Sequence, residues 1–217
     1  MRLPKLYPIT DARLSGLSHA AQVARLCDGG ATLVQLREKH LSPREFYREA
    51  AEALRVARAR GARLVINDRA DIALAVGADG VHLGQDDLRP DAARRLLGEA
   101  AVIGFSTHDL AQAARAARMP VTYIAFGPVF ATSSKENPER IVGLEGLRRA
   151  RDVIGDRIPL VAIGGITRGN ARSVLEAGAD SVAVIGALVS QTGDPSSITL
   201  RTREFLLETE RPGEGSS

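Results

Sequence analysis

Eight short apolar runs, each separated from the next by a stretch long enough for a crossover, constrain this chain more than any other feature. They are Lys5–Thr10, Leu33–Arg37, Leu64–Asp68, Gly80–Leu83, Val102–Ser106, Tyr123–Gly127, Leu160–Gly164 and Ser181–Ile185. β-Branched and large apolar residues dominate them, as in strands buried on both faces. Hairpins need only a few connecting residues, whereas parallel neighbours need about a dozen or more. The gaps here are of crossover length or close to it, so the strands are expected to run parallel.

The intervening stretches read as helices. The clearest is Ser42–Arg60, where Ser42 caps the first turn, Pro43 fits the first helical position, and Phe46, Ala50, Ala53, Leu54 and Ala57 form one apolar stripe that Gly61 ends. Similar segments are Ala20–Asp28, Ala70–Val76, Arg89–Leu97, Leu110–Ala117, Leu144–Ile154, Asn170–Ala177 and Ser196–Glu210. Eight strands, each followed by a helix, predict an α/β chain folded as a single-domain (β/α)8 TIM barrel. The length of 217 residues is near the low end for that barrel and leaves no room for a second core. The barrel is expected over residues 1–210, with 211–217, which lack apolar side chains, as a flexible tail. A Gly-Ala-Asp triplet occurs at Gly77–Asp79 and again at Gly178–Asp180, and both copies are read as turns from a helix into the next strand.

The net charge of +3 comes from 29 basic and 26 acidic side chains, and aromatic residues make up 4%. So small a surplus and so few rings argue against a nucleic-acid partner. The arginines at 55, 58, 60 and 63 read as a solvated helix face. No apolar run approaches the roughly 20 residues that span a bilayer, and the N-terminus lacks a signal-peptide core, so neither membrane nor export is expected and the cytoplasm is the default. Cys27, the only cysteine, sits in an apolar helix and reads as packing.

In such barrels the chemistry gathers where strands end. The second run closes on Gln35-Leu36-Arg37-Glu38-Lys39, and strand alternation would turn Gln35, Arg37 and Lys39 together toward the mouth. Two cations there suit an anion; a surface ion-pair strip with Glu38 is the alternative. The third run ends in Asn67-Asp68-Arg69 and the fourth in Gly84-Gln85-Asp86-Asp87. Acids from adjacent strand ends are within reach of one divalent ion, and few carboxylates plus water suit magnesium better than calcium. Zinc lacks suitably spaced cysteine or histidine. Helix capping, by Asp68 before Arg69 and by Asp86 or Asp87 before Leu88, is the competing reading.

A second anion site is suggested by Ile163–Thr167 and Val184–Ala187, since small residues after strands seven and eight expose amides that hold phosphate in such barrels. Glycine pairs also simply make turns. Between the two sites, Gly127–Lys135 is a long loop with hydroxyls and one cation that could close over a bound anion. His19 and His40 fall in connections, His82 falls within a strand, and His108 reads as a helix-start residue, so no histidine is assigned as acid or base.

Together QLREK at 35–39, INDR at 66–69, VHLGQDD at 81–87, GFSTH at 104–108, FGPVFATSSK at 126–135 and AIGGIT at 162–167 resemble the thiamine phosphate synthase family, from about Leu6 to Ala187. The resemblance implies coupling of hydroxymethylpyrimidine diphosphate to thiazole phosphate, with or without a 2-carboxylate, releasing pyrophosphate. It assigns Gln35, Arg37, Lys39, Asn67, Ser106 and Lys135, within a binding stretch that includes Leu36 and Glu38, to the pyrimidine diphosphate. Arg37, Lys39, Ser106 and Lys135 would serve catalysis, and Asp68 and Asp87 would hold Mg2+. Thr132, Ser133 and Ser134, with Gly165 and the Ile185-Gly186 backbone, would receive the thiazole phosphate. The family commonly has serine where this chain has Gly186, so one hydroxyl donor is missing there.

That chemistry asks for leaving-group stabilisation and alignment of two rings, with no covalent nucleophile and no strong base. Two alternatives remain. A related thiazole tautomerase resembles the synthase but typically loses the acids and carries histidine at the position of Pro128 here. A non-catalytic phosphate-ligand sensor would bind without turnover. Small-molecule substrates are the expected partners, and the sequence does not decide between monomer and homo-oligomer.

Overall fold

The computed structural model describes residues 3–132, 140–190 and 196–210. Its strands are β1 (Leu6–Thr10), β2 (Leu33–Leu36), β3 (Arg63–Asn67), β4 (Gly80–Leu83), β5 (Val102–Thr107), β6 (Tyr123–Phe126), β7 (Leu160–Ile163) and β8 (Ser181–Val184). They pair in chain order, all parallel, and β8 returns to β1 to close a barrel. Around it lie α1 (Ala12–Ser15), α2 (His19–Asp28), α3 (Pro43–Ala59), α4 (Ala70–Val76), α5 (Pro90–Leu97), α6 (Leu110–Ala116), α7 (Gly143–Ile154), α8 (Arg168–Glu176), α9 (Gly186–Val189) and α10 (Ser197–Glu210). The expected (β/α)8 TIM barrel is the observed fold, with boundaries shifted by a residue or two, the usual uncertainty of element ends.

Two helices were not expected. α1 and α9 have four residues each, too short to show an apolar period. α1 exists through its caps: Asp11 accepts from the Leu14 amide at 3.0 Å, and Gly16 turns left-handed at φ 68°. α3 follows the expected logic, with the side chains of Ser42 and Glu45 each accepting from the other's amide and the predicted apolar stripe fully turned inward.

Alternate residues of each strand serve two cores. Leu64 and Ile66 of β3, or Ile124 and Phe126 of β6, pack outward under the helices. Tyr7, Leu33, Val65, Val102, Tyr123 and Val161 point inward and fill the barrel axis. Tyr7 and Tyr123 meet edge to face there, with ring centres 5.7 Å apart. Higher on the same inward faces the apolar residues give way to Gln35, Asn67 and His82, all buried. Cys27 packs half-buried against the outer core, and burial pushes its thiol up to about 11, which leaves it protonated and inert.

The lower rim, where strands begin, is closed by the repeated Gly-Ala-Asp. Asp79 exchanges two hydrogen bonds with the start of β3, its amide donating to Leu64 O at 3.0 Å and its carboxylate accepting from Leu64 N at 2.8 Å. Asp180 does the same with Leu160 of β7, at 2.8 Å and 2.8 Å. In each copy the glycine has a positive φ, and its carbonyl accepts from an arginine of a neighbouring helix, Arg58 at 2.7 Å or Arg151 at 2.9 Å.

Candidate active site

At the upper rim the strand ends and their loops enclose a cavity of about 820 Å³, room for a ligand larger than one ring. Gln35, Arg37, Lys39, Asn67, Asp68, Asp87, Ser106, Thr132, Gly165, Ile185 and Gly186 all line it. Residues read separately along the sequence therefore converge on one space. Two do not. Leu36 is fully buried in the outer core, because strand alternation turns it away from its neighbours Gln35 and Arg37. The Glu38 carboxylate also turns away and accepts from buried His19 at 3.0 Å and from the amides of His40 and Leu41. Burial alone would raise that carboxyl, but these hydrogen bonds outweigh it and hold Glu38 below its usual range. Ser133, Ser134 and Lys135 lie outside the described residues.

The cations are held in place. The Arg37 guanidinium donates to Asp11 at 3.0 Å, and its amide donates to Thr10 Oγ1, which in turn bonds His19 Nδ1 at 2.7 Å. Glu38 and His19 thus anchor the loop that presents Arg37 and Lys39. Lys39 pairs with Asp68. Asp68 carries a left-handed backbone, φ 62°, rare outside glycine. It caps nothing: α4 has no side-chain cap, and neither does α5, so the capping readings of Asp68, Asp86 and Asp87 do not hold.

Asp87 instead folds back to accept from the Gly84 amide at 2.7 Å, which aims its carboxyl at Asp68. Burial holds Asp87 above the ordinary carboxylate range, and the neighbouring Asp68 charge pushes the same way. Beside them the Asn67 carbonyl oxygen is buried with no partner among the described residues. Two converging carboxyls, a cation already drawn to one of them, and an unpaired oxygen form a set that a divalent cation would satisfy. Among the described residues no group of three or more acidic, histidine or cysteine side chains converges, so such an ion would take its other ligands from water or substrate.

The opposite side of the cavity is built from backbone. Gly164 and Gly165 have φ 102° and 62°, and a β-carbon on Gly165 would strike the Phe130–Ala131 backbone. The Phe130 amide donates to Gly164 O at 3.0 Å, which ties this turn to the loop leading to Thr132.

Sequence reading passed over several residues of the site. His82 lines the cavity and bonds Ser106 Oγ at 2.8 Å, and His108 lines it with Nδ1 2.8 Å from the Gly127 carbonyl oxygen. Strand alternation carried the signal for His82, which stands opposite Asn67 in the β3–β4 register on the same inward face.

A parallel barrel with cations, paired carboxyls and glycine turns on the upper rim defines a class, the barrel enzymes that act on small phosphorylated compounds. Comparison narrows it. The sequence profile of the thiamine monophosphate synthase family matches residues 6–188. Thiamine-phosphate synthase of Chloroflexus aurantiacus is 48% identical over 187 residues, covering 86% of this chain and 85% of that one. The enzyme of Koribacter versatilis is 47% identical over 95% and 96%. The solved thiamine phosphate pyrophosphorylase from Pyrococcus furiosus superposes with a TM-score of 0.83 at 37% identity, covering 95% and 97%. The chain belongs to the thiamine monophosphate synthase family, and its activity class is that of a transferase. Among the described residues no helix is long and apolar enough to cross a membrane.

Proposed function

We propose that the protein is a cytoplasmic thiamine phosphate synthase that joins 4-amino-2-methyl-5-hydroxymethylpyrimidine diphosphate to a thiazole phosphate, giving thiamine phosphate and pyrophosphate. The observation that carries this reading is the meeting of Asp68 and Asp87 beside Arg37, Lys39 and Ser106 in one cavity. A diphosphate leaves when the charge gathering on its bridging oxygen is stabilised, and an electron-rich aminopyrimidine tolerates positive charge on its methylene.

Arg37 offers a planar fork to the diphosphate and Lys39 a point charge, with Lys135 assigned to the same group. Gln35, Asn67 and Ser106 supply hydrogen bonds that orient the pyrimidine end. Leu36 and Glu38 support this stretch from behind. Asp68 and Asp87 are the residues that would hold Mg2+, whose role when bound is to neutralise charge on the departing group. The Gly165 turn and the Ile185-Gly186 backbone, with Thr132, Ser133 and Ser134, receive the thiazole phosphate, which sets the ring nitrogen facing the pyrimidine methylene. Pro128 occupies the position where the related tautomerase carries its histidine, which favours the synthase. Incubating the protein with both substrates and Mg2+ tests the reading: pyrophosphate and thiamine phosphate should appear together. Binding of both ligands without pyrophosphate release would leave a sensor in its place.

A further inference from the structure

We propose that Tyr7, Tyr123 and His82 form a polarised hydrogen-bond wire through the barrel interior that couples what Gln35 and Ser106 offer to the ligand. Gln35 Nε2 lies 3.3 Å from Tyr7 Oη, and Tyr7 Oη lies 3.0 Å from Tyr123 Oη. Tyr123 Oη is 2.9 Å from His82 Nδ1, and His82 Nε2 is 2.8 Å from Ser106 Oγ. The imidazole lies nearly parallel to the Tyr123 ring, 17° between planes. Four bonds thus link β2 to β5 through the inside of the barrel, between two residues that line the cavity.

Each interior phenol has one hydrogen to give, and so has the imidazole in the neutral form that the wire requires. When the Gln35 amide group donates to Tyr7, the Tyr7 hydrogen goes to Tyr123 and the Tyr123 hydrogen to Nδ1. The imidazole hydrogen then sits on Nε2 and goes to Ser106, whose own hydrogen is left for the cavity. A mixed arrangement with both Gln35 and Tyr123 donating to Tyr7 leaves the buried Tyr7 hydrogen without an acceptor among the described residues, the costly case. When Gln35 presents its carbonyl to Tyr7 instead, every link reverses. The hydrogen moves to Nδ1, and Ser106 turns lone pairs to the cavity. The ends are never set independently, because bonds in such a chain polarise one another.

The sense with Gln35 Nε2 donating leaves the Gln35 carbonyl and the Ser106 hydroxyl hydrogen facing the ligand. An acceptor at one end and a donor at the other fit a ring that carries an amino group and an anionic substituent. The assignment of this ligand rests on the function proposed above; the wire itself does not. Both phenols keep their hydrogens: burial pushes Tyr7 up to about 12 and Tyr123 well above its ordinary value. Gly104 clears the path, since a β-carbon there would strike both Tyr123 and His82.

The decisive experiment reads the imidazole, not turnover. Two-bond 1H–15N correlation spectra of the ligand-free, 15N-histidine-labelled protein at neutral pH should show neutral His82 with its hydrogen on Nε2. Gln35→Glu, which can only accept, should move that hydrogen to Nδ1, and adding Tyr123→Phe should stop the change from being transmitted. Should Gln35→Glu not fold, Tyr7→Phe cuts the first link and should let the ring average between tautomers. A doubly protonated ring, or a tautomer indifferent to both variants, overturns the wire. In pyrophosphate-release assays, Gln35→Ala and Ser106→Ala should be non-additive in kcat/KM by at least about threefold, and additive once Tyr123→Phe is present. Non-additivity that survives Tyr123→Phe refutes the coupling. If the wild-type protein releases no pyrophosphate, the proposed function fails while the ring spectra still decide the wire.

Discussion

The two rims of the barrel use aspartate in opposite ways. At the lower rim Asp79 and Asp180 each accept from an amide at the start of a strand, and Asp180 also pairs with Arg151. At the upper rim Asp87 and Asp68 turn their carboxyls toward each other, one backbone is left-handed, and the Asn67 oxygen beside them is unpaired among the described residues. Residues of one type, at the two ends of the same barrel, stabilise the fold in one place and hold an unmet electrostatic demand in the other. The difference lies in what a carboxylate meets beyond its backbone donor: Asp180 meets the Arg151 cation and completes a fold, while Asp87, held by the Gly84 amide, meets a second carboxylate and calls for a cation.

The sharpest way to break this comparison is to remove one acid from each rim. Asp87→Ala should lower Mg2+-dependent pyrophosphate release by about two orders of magnitude, the scale of several kcal/mol of charge stabilisation, with a smaller change in urea unfolding than Asp180→Ala because relief of the Asp68 repulsion offsets the lost Gly84 bond. Equal activity at every Mg2+ concentration would refute the upper-rim role. Asp180→Ala should do the reverse. Losing its bond to the Leu160 amide and its pairing with Arg151 should cost about 1–3 kcal/mol in urea denaturation while leaving KM for both substrates unchanged. A stable Asp180→Ala protein with altered KM would show that the rims are not separable.

The lower rim and the barrel were legible in the sequence because continuous apolar runs at crossover spacing, capped helices and glycine turns are local signals. The β2 end was half legible. Alternation placed Gln35 and Arg37 on the inward face, and the same alternation sends Leu36 outward, though the family-based stretch had included it. Glu38 was out of reach of such reasoning, because its partner His19 lies in a separate helix and meets it only in the folded barrel. The facing of Asp87 and Asp68 depends on the Gly84 amide drawing one carboxyl back, a bond that no spacing announces. His82 was discounted for sitting mid-strand, yet in a barrel that position points at the axis.

A smaller effect sharpens the upper-rim side of the comparison through pH. The Asp87 carboxyl is raised above the unfolded value, about 3.9, so the folded state holds the extra proton in the window above it. Stability of the cation-free protein therefore falls as pH rises through that window. Cation binding needs the ionised carboxylate, so Mg2+-induced thermal stabilisation should fade on acidification earlier than an ordinary aspartate would allow. Asp68→Asn removes one of the two upward pushes and should shift the fading to lower pH. An unmoved acid limb in that variant would mean that burial alone sets Asp87 and that the two carboxyls do not act as a pair.

The smallest effect belongs to the glycine side of the same rim, where the site relies on backbone and Gly186 offers no side-chain donor. Gly186 opens α9 and lines the cavity, with a neighbouring Ile185 whose side chain packs against the barrel cores. Gly186→Ser adds a hydroxyl where the thiazole phosphate is proposed to sit. One further hydrogen bond to an anion, net of the water it displaces, is worth a factor of a few to about tenfold in affinity. KM for the thiazole phosphate should fall by that factor while KM for the pyrimidine diphosphate stays put, because the acids and cations proposed to hold it, Lys135 apart, lie on β2 to β4 and their loops. A fall in both constants would mean that the two halves of the cavity are not served by separate groups, and the division between a charged side and a backbone side would have to be redrawn.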